Sequence, residues 1–386
     1  MSGHHDSIER LACVGASFRT LGFERLGELV VPPEERAATL PALARALGAD
    51  ELVYVATCNR VECWAWLAAP APDLPARLAA FFGGRVAPEA LEARAGRAAL
   101  AHLLRVASAL DSLVVGETEI AGQVRRAADE GQALGLVGER LRAALERAQV
   151  CARRARQAFD AARPPASAAD LAVAKIQQHF GPAGPRVAVL VGVGPMTRKV
   201  AGALAATTAE LVFVNRGLGR AEELAARFGG RALALDAFQA APPAWMDLVF
   251  TATSARAPVV RPEHLAPAID ARRRAGAAGP LILCDMGVPR DVDPACDALD
   301  GALVVALEHM EALAHLRADQ DGGLSRASAV VDDELERFVR EERFRAIAGE
   351  SARAMLASRL AHLTPEDREA ILRFAGGLAA RFARQP

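Results

Sequence analysis

At Val187 the chain changes rhythm. Val187 to Leu190 reads as a short apolar strand, Gly192-Val193-Gly194-Pro195-Met196-Thr197 as a glycine-rich turn opening a helix, and Leu211 to Val214 as a second strand. Further strands follow at Leu248 to Thr251 and Leu281 to Cys284, with helical stretches between them. A strand, helix, strand series of this kind calls for crossover connections and a parallel sheet covered by helices. The glycines permit a tight turn and let backbone N–H groups approach a pyrophosphate at the helix N-terminus. Thr197 stands where a third glycine is common, so the helix is expected slightly farther from the sheet. The same spacing also suits an ordinary strand-to-helix turn, and only the strand before it favours a nucleotide. Asn215-Arg216 ends the second strand, where an NAD site usually places an acid for the ribose 2′-hydroxyl. Arg216 or Arg220 suits a 2′-phosphate instead, which points to NADPH rather than NADH.

The region before this series has a different pattern. Leu52 to Ala56 is apolar and β-prone, Thr57 to Arg60 is polar and turn-like, and Val61 to Trp66 is again strand-like, predicting a hairpin with Cys58 near its tip. From about Leu74 to Ala162 apolar residues recur every three or four positions, as in Leu100, Leu103, Leu104 and Ala107, predicting helices. Arg163-Pro164-Pro165 is a plausible break. After Val304 the pattern is helical to the end, interrupted at Asp321-Gly322-Gly323 and at Thr364-Pro365, where Thr364 reads as an N-cap. The expectation is an α/β multidomain chain: an α+β domain over 1–160, a Rossmann-like domain over 161–300 and a helical region over 301–386. Its 386 residues exceed one ordinary core.

No stretch approaches the roughly 20 uncharged apolar residues of a membrane helix, and the opening MSGHHDSIERLACVG lacks a secretory pattern. Six scattered cysteines with no CxxC pair read as reduced thiols in a cytoplasmic protein, with no metal site. The net charge of −1 leaves nucleic-acid binding open, since a local basic surface still attracts phosphates. Arg140, Arg142, Arg147, Arg153, Arg154 and Arg156 form such a surface or an ordinary solvated helix face.

Cys58, in Ala56-Thr57-Cys58-Asn59-Arg60, sits at a polar turn beside a guanidinium. A nearby positive charge favours the thiolate, the form that acts as nucleophile. A single cysteine is more often a buried small hydrophobe, the role expected of Cys63.

The string Thr57-Cys58-Asn59-Arg60-Val61-Glu62 is followed by His102-Leu103-Leu104-Arg105-Val106-Ala107-Ser108-Ala109-Leu110-Asp111-Ser112. Gly116-Glu117-Thr118-Glu119-Ile120-Ala121-Gly122-Gln123-Val124 comes next, then the Gly192 turn, Asn215-Arg216 and Asp285-Met286-Gly287-Val288-Pro289-Arg290-Asp291-Val292. Together, in order from about Leu11 to Pro294, these strings closely resemble the glutamyl-tRNA reductase family. The resemblance implies a catalytic α+β domain, an NADPH-binding Rossmann-like domain, and a spinal helix leading to helical dimerisation.

By position, Cys58 resembles the nucleophile and His102 the histidine important for activity. Thr57, Asn59, Arg60, Ser112, Glu117, Thr118, Glu119 and Gln123 resemble the pocket for the glutamyl group, and Gly192, Val193, Gly194, Pro195, Met196, Thr197, Asn215 and Arg216 the cofactor site. The residues alone also allow His102 to be a helix-face histidine and Ser112 and Gln123 to be helix caps. The implied reaction is reduction of glutamyl-tRNA to glutamate-1-semialdehyde in tetrapyrrole synthesis, with transient handover to glutamate-1-semialdehyde aminomutase and a homodimer as the assembly. Two other readings stay open: a catalytically weak homologue that binds charged tRNA, and a Rossmann reductase of a small acyl thioester. The chain departs from the family's pattern at Ser17-Phe18-Arg19-Thr20-Leu21-Gly22, where the second residue is usually His. It also has Glu119 where Gln is frequent, and its helical tail is shorter than usual.

Overall fold

The computed structural model describes residues 7–57, 59–112, 115–117, 119–160, 167–253, 255, 257–277, 279–287, 289–307 and 322–383. Cys58 and Thr118 fall outside that set, as do the expected break at 163–165 and residues 308–321. The chain divides into two compact units, one formed by 1–112, 118–164 and 321–386, the other by 113–117 and 165–320.

The first unit opens with β1 (Leu11–Ser17), α1 (Phe18–Leu26) and α2 (Arg36–Leu47). The predicted hairpin follows as β2 (Ala49–Ala56) and β3 (Arg60–Leu67), paired so that Ala56 faces Val61. Next come α3 (Leu74–Phe81), β4 (Glu92–Ala95), α4 (Gly96–Ala107), α5 (Glu119–Ala133) and α6 (Glu139–Asp160). The four strands form a sheet of order β2-β3-β1-β4. Strand β4 interrupts a stretch expected to be helical throughout. It is four residues long and mostly exposed, pairing with β1 at the sheet edge, so it has no apolar alternation to betray it.

Every residue of β1 and β3 is buried, because both faces of this sheet are covered. Val61, Cys63, Ala65 and Leu67 join one core with Leu43 and Leu47 of α2 and Leu74 and Leu78 of α3. Each fully buried Leu contributes about 1.5–3 kcal/mol of apolar burial. Alternation along the strand sends Arg60, Glu62, Trp64 and Trp66 to the other face, where the His102 ring of α4 lies stacked 5.9 Å from Trp64. In this way polar side chains come to stand in an interior. The carboxylate of Glu51 in β2 accepts from the N–H groups of Gly138 (3.0 Å) and Leu141 (2.7 Å), capping α6 from a neighbouring element.

The second unit begins with α7 (Ala168–Phe180), where Ser167 and Asp170 form a capping box. It continues through β5 (Val187–Val191), α8 (Pro195–Leu204), β6 (Glu210–Asn215), α9 (Leu218–Phe228), β7 (Arg231–Ala234) and α10 (Leu235–Ala240). It closes with β8 (Leu248–Thr251), α11 (Pro262–Arg274), β9 (Leu281–Asp285) and β10 (Ala302–Ala306). All six strands are parallel, in the order β10-β9-β8-β5-β6-β7. Read from the other edge, the third, second and first strands are followed by the fourth, fifth and sixth, the doubly wound order.

The tail is α12 (Gly323–Ser358) and α13 (Pro365–Ala383). Thr364 caps α13 as expected, its hydroxyl accepting from the N–H of Asp367 at 3.2 Å. The partner of α12 is α6. Glu334 and Glu341 of α12 are buried and pair with Arg147 at 2.9 and 2.7 Å, and Arg154 also pairs with Glu334. Two of the arginines considered above as phosphate contacts are thus engaged within the unit.

Candidate active site

Thr57 organises the turn at the hairpin tip. Its hydroxyl accepts from the N–H groups of Asn59 (3.1 Å) and Arg60 (3.2 Å), and its own N–H donates to the Arg60 carbonyl. Arg60, the first residue of β3, is only 1% exposed and donates to Glu62 at 3.0 Å and to the Asp111 carboxylate at 3.4 Å. It also donates to the Asp111 backbone carbonyl. His102 comes in from α4, with Nε2 2.8 Å from Glu62 Oε1 and Nδ1 3.6 Å from Asp111 Oδ2. Arg19, on α1, donates to the other Asp111 oxygen at 2.8 Å. Gly15 lies opposite Glu62 in the β1–β3 register, and a Cβ there would come within 2.2 Å of the Val61 carbonyl and 3.0 Å of Glu62 Cγ. No other residue lets the strands close with Glu62 in place.

Burial pushes the Glu62 carboxyl up, but Arg60 and the hydrogen bond from His102 outweigh it and hold it below the usual range. The same holds for Asp111, where burial is opposed by Arg60, His102 and Arg19. Burial pulls the Arg60 guanidinium down, and Glu62 and Asp111 more than restore it. Glu62 is therefore ionised, so His102 Nε2 carries the proton of their shared hydrogen bond and Nδ1 is left for chemistry. Removing Arg60 would leave Glu62 buried with His102 alone, and removing Glu62 would leave Arg60 with Asp111 alone; breaking a buried pair by removing one partner costs about 3–5 kcal/mol.

The expected pocket residues are distributed unevenly. Arg60 and His102 share one network. Asn59 is buried beside them with its Oδ1 lacking a hydrogen-bond partner, and Ser112 is buried in the turn after α4. Glu119 is exposed at the start of α5, with Gln123 one turn on and half-buried. Glu117 belongs to the short stretch grouped with the second unit. Glu62 and Asp111, both within the strings quoted above, were not singled out from sequence. Charge alternation with Arg60 was the available signal for Glu62; for Asp111 there was none, since its partners are distant in the chain. Cys63 is buried as expected, and burial pushes its thiol up to about 12. Donor atoms of Cys13, Glu62 and His102 lie within 4.8 Å of one another. The Arg60 guanidinium on Glu62 opposes a cation there.

The second unit holds a cavity of about 1060 Å³ at the carboxyl ends of β5 and β6. Gly192 (φ +106°) lies where the strand order reverses between β5 and β8, and a Cβ there would come 2.4 Å from the Ala252 carbonyl. Val193 and Gly194 continue the cavity wall, and Pro195 and Met196 begin α8. Thr197 is fully buried in the body of the unit, and its hydroxyl has no hydrogen-bond partner. Asn215 lines the cavity and donates from Nδ2 to the Gly217 carbonyl at 3.0 Å, holding the turn that presents Arg216.

Arg198, Arg216 and Arg220 all line the cavity. Arg198 was missed from sequence, although its N–H donates to the Gly194 carbonyl, so helical periodicity brings it back over the glycine turn. A glycine cradle at a helix N-terminus with three guanidiniums fits a phosphorylated dinucleotide. Thr253, another lining residue, donates its N–H to Asp291 at 2.7 Å. Asp285 in turn accepts from Thr251 and from the N–H groups of Gly287 and Val292. Asp285 and Asp291 thus brace the cavity wall through their carboxylates.

A doubly wound sheet with a basic cavity at its switch point, joined in one chain to an α+β unit with a buried Arg–Glu–His network, defines a dinucleotide-dependent oxidoreductase. Residues 14–159 match the family described as glutamyl-tRNA(Glu) reductase, N-terminal domain, and residues 174–313 the family described as shikimate/quinate 5-dehydrogenase. The chain is 34% identical over 346 residues to the glutamyl-tRNA reductase of Myxococcus xanthus (strain DK1622), covering 87% of this chain and 75% of that one. It is 33% identical over 385 residues to that of Stenotrophomonas maltophilia (strain K279a), covering 91% and 86%. The solved glutamyl-tRNA reductase from Methanopyrus kandleri aligns over 98% of this chain and 95% of that one at 24% identity, with a TM-score of 0.47. The chain belongs to the glutamyl-tRNA reductase family.

Proposed function

We propose that this chain uses NADPH to reduce the glutamyl group of charged tRNA to glutamate-1-semialdehyde, for tetrapyrrole synthesis, through a thioester on Cys58. The observation that carries the reading is family membership running through both the Arg60–Glu62–His102–Asp111 network and the basic glycine cradle. The Cys58 sulfur bonds to the acyl carbon as the bond to the tRNA 3′ oxygen breaks, and the leaving oxygen takes a proton. His102, its Nε2–H held by Glu62, takes the thiol proton of Cys58 on Nδ1, the nitrogen facing Asp111, and passes it to that oxygen. When bound, NADPH supplies the hydride that reduces the thioester.

Thr57, Asn59, Arg60, Ser112, Glu117, Thr118, Glu119 and Gln123 hold the glutamyl group in this reading. Gly192 to Thr197, with Asn215 and Arg216, hold the cofactor, and Arg216 contacts the 2′-phosphate. The division into 1–160, 161–300 and 301–386 follows the same assignment.

Phe374, 72% exposed, with Ile347, Met355 and Phe382 gives the tail an open apolar face, which favours a homodimer through these helices. Among the described residues no helix is long and apolar enough to cross a membrane. Unpaired buried cysteines suit a cytoplasmic setting. The product aldehyde is reactive, which favours direct transfer to the aminomutase.

The test withholds NADPH and supplies tRNA charged with labelled glutamate. The label stays on the denatured protein, is released by hydroxylamine, and becomes aldehyde if NADPH is added first. Cys58→Ser retains none, whereas Cys63→Ser behaves nearly as wild type. Efficient reduction with no label ever retained under rapid quenching would replace the thioester by direct hydride attack. Binding of charged tRNA without any product would make the protein a binding homologue, and preference for small acyl thioesters a different reductase.

A further inference from the structure

We infer that Asp291 is a positioning residue for the nicotinamide half of the cofactor, an inference that rests on the cofactor site and reaction proposed above. It holds both ends of one cavity wall. Ala252, Thr253, Ala255 and Val259 line the cavity beyond β8. At the near end Thr253 donates its N–H to Asp291 Oδ2 at 2.7 Å and its hydroxyl to Oδ1. At the far end the Asp291 carbonyl accepts from the N–H groups of Val259 (2.8 Å) and Val260 (3.0 Å). The side chain and the main chain of a single residue thus clamp the wall at its start and at its finish.

The clamp is itself held. Asp285, at the end of β9, accepts from the N–H groups of Gly287, Asp291 and Val292, fixing the turn that presents Asp291. Gly287 leaves room for it, since a Cβ there would overlap the Asp291 carboxylate. Val292 pairs with Val260 as an isolated parallel bridge, and the Asp293 N–H donates to the Val260 carbonyl at 2.9 Å. Within the wall, Thr253 Oγ1 accepts from the Ala255 N–H at 3.1 Å. Both groups that Thr253 directs at Asp291 are donors, and an ionised carboxylate, which only accepts, meets the two at once.

The strand order decides which part of the cofactor this wall serves. Strand β5 lies between β6 and β8. A pyrophosphate belongs over the Gly192 turn after β5, and the adenosine 2′-phosphate belongs with Arg216 after β6. A dinucleotide laid across the switch point therefore puts its nicotinamide on the β8 side, against Thr253. The wall also packs on the glycine turn, with Thr253 Cγ2 3.4 Å from where a Cβ of Gly192 would stand. A nicotinamide displaced by about 1 Å relative to the acyl carbon transfers hydride about 100-fold more slowly.

The experiment uses the full chain and reads adenosine 2′,5′-bisphosphate affinity by calorimetry, retention of labelled glutamate without NADPH, and single-turnover reduction of that thioester at saturating NADPH. Asp291→Ala should slow the reduction about 10- to 100-fold while adenosine 2′,5′-bisphosphate affinity stays within about twofold and the label is retained as in wild type. Asp291→Asn keeps the shape and one acceptor, and should reduce within about fivefold of wild type, the worth of one lost hydrogen bond. Gly287→Ala leaves the carboxylate in the chain but crowds it away from Thr253. It should reproduce the Asp291→Ala pattern, which keeps the test decisive if Asp291→Ala does not fold. Asp297→Ala, which removes a half-exposed carboxylate farther along the same segment, should match wild type. Reduction at the wild-type rate in folded Asp291→Ala overturns this inference alone. Loss of adenosine 2′,5′-bisphosphate binding in step with reduction, in both Asp291→Ala and Gly287→Ala, also overturns it, leaving Asp291 a role in folding only. A wild type that retains label but never reduces it with NADPH overturns it together with the proposed function.

Discussion

Asp291 shows how a single carboxylate can carry a cost that stays hidden until pH changes. It is fully buried, and that burial pushes its carboxyl up to about 6, with Asp285 adding to the shift and hydrogen bonds from Thr253 opposing it. A folded-state pKa raised above the unfolded value means that the native protein binds the proton more readily. Stability from this group is then fully present below about pH 4 and lost as pH rises through 6, a difference of about 3 kcal/mol. Asp291→Asn should remove the dependence. Denaturant midpoints of the two proteins between pH 7 and pH 4 should diverge, wild type gaining on the variant as pH falls; a constant difference would refute the linkage.

At this scale the sequence was legible where chemistry is local. Thr57, Arg60 and the glycine turn could be read because neighbours in the chain are neighbours in space. Asp111 and Arg198 escaped because their partners are brought to them by β1, α1 and the return of a helix turn. Asp291 stood in a quoted string, but its burial depends on the close of β8 and β9.

Among the elements, α12 owes its place to a buried charge rather than to its apolar content alone. Glu334, 1% exposed, accepts from Arg147 and Arg154 of α6. Glu334→Ala should therefore lose about 1.5–3 kcal/mol of stability by removing the buried acceptor the two arginines share, leaving Arg147 with Glu341 and Arg154 with Asp333 at the rim. Asp333→Ala, whose carboxylate is 43% exposed and pairs at the rim with Arg154, should change it by less than about 1 kcal/mol. Amide exchange in 139–160 reads the effect directly, and equal protection loss in both variants would contradict it. Periodicity sufficed to expect a helical tail that needs a partner surface. It could not identify α6 as that surface, because α6 is equally regular and its arginines look solvent-facing in sequence. Strand β4 was missed for the opposite reason, having no pattern of its own.

For the whole molecule, the proposed homodimer depends on the apolar face that α12 and α13 leave open around a cavity of about 440 Å³ lined by Phe344, Ile347, Met355, Phe374, Leu378 and Phe382. Phe374→Asp places a charge on its most exposed aromatic. In sedimentation it should convert dimer to monomer at micromolar concentration, while the isolated chain keeps its helical content. A wild type that sediments as a monomer at all accessible concentrations would rule the dimer out. The parallel sheet was the most legible feature at this scale, since the order of short apolar strands and helices leaves few ways to connect them.

The first unit is also discontinuous. Its sheet is complete by Ala95, yet α12, which covers α6, begins only at Gly323, after the entire nucleotide-binding sheet has been made. A ribosome delivers the chain in that order. The second unit can close with β10 while the first still waits, its seam along α6 uncovered, for a helix encoded more than 150 residues later. A released chain ending just past residue 307 should therefore resist protease across 167–307 and remain cleavable within 139–160.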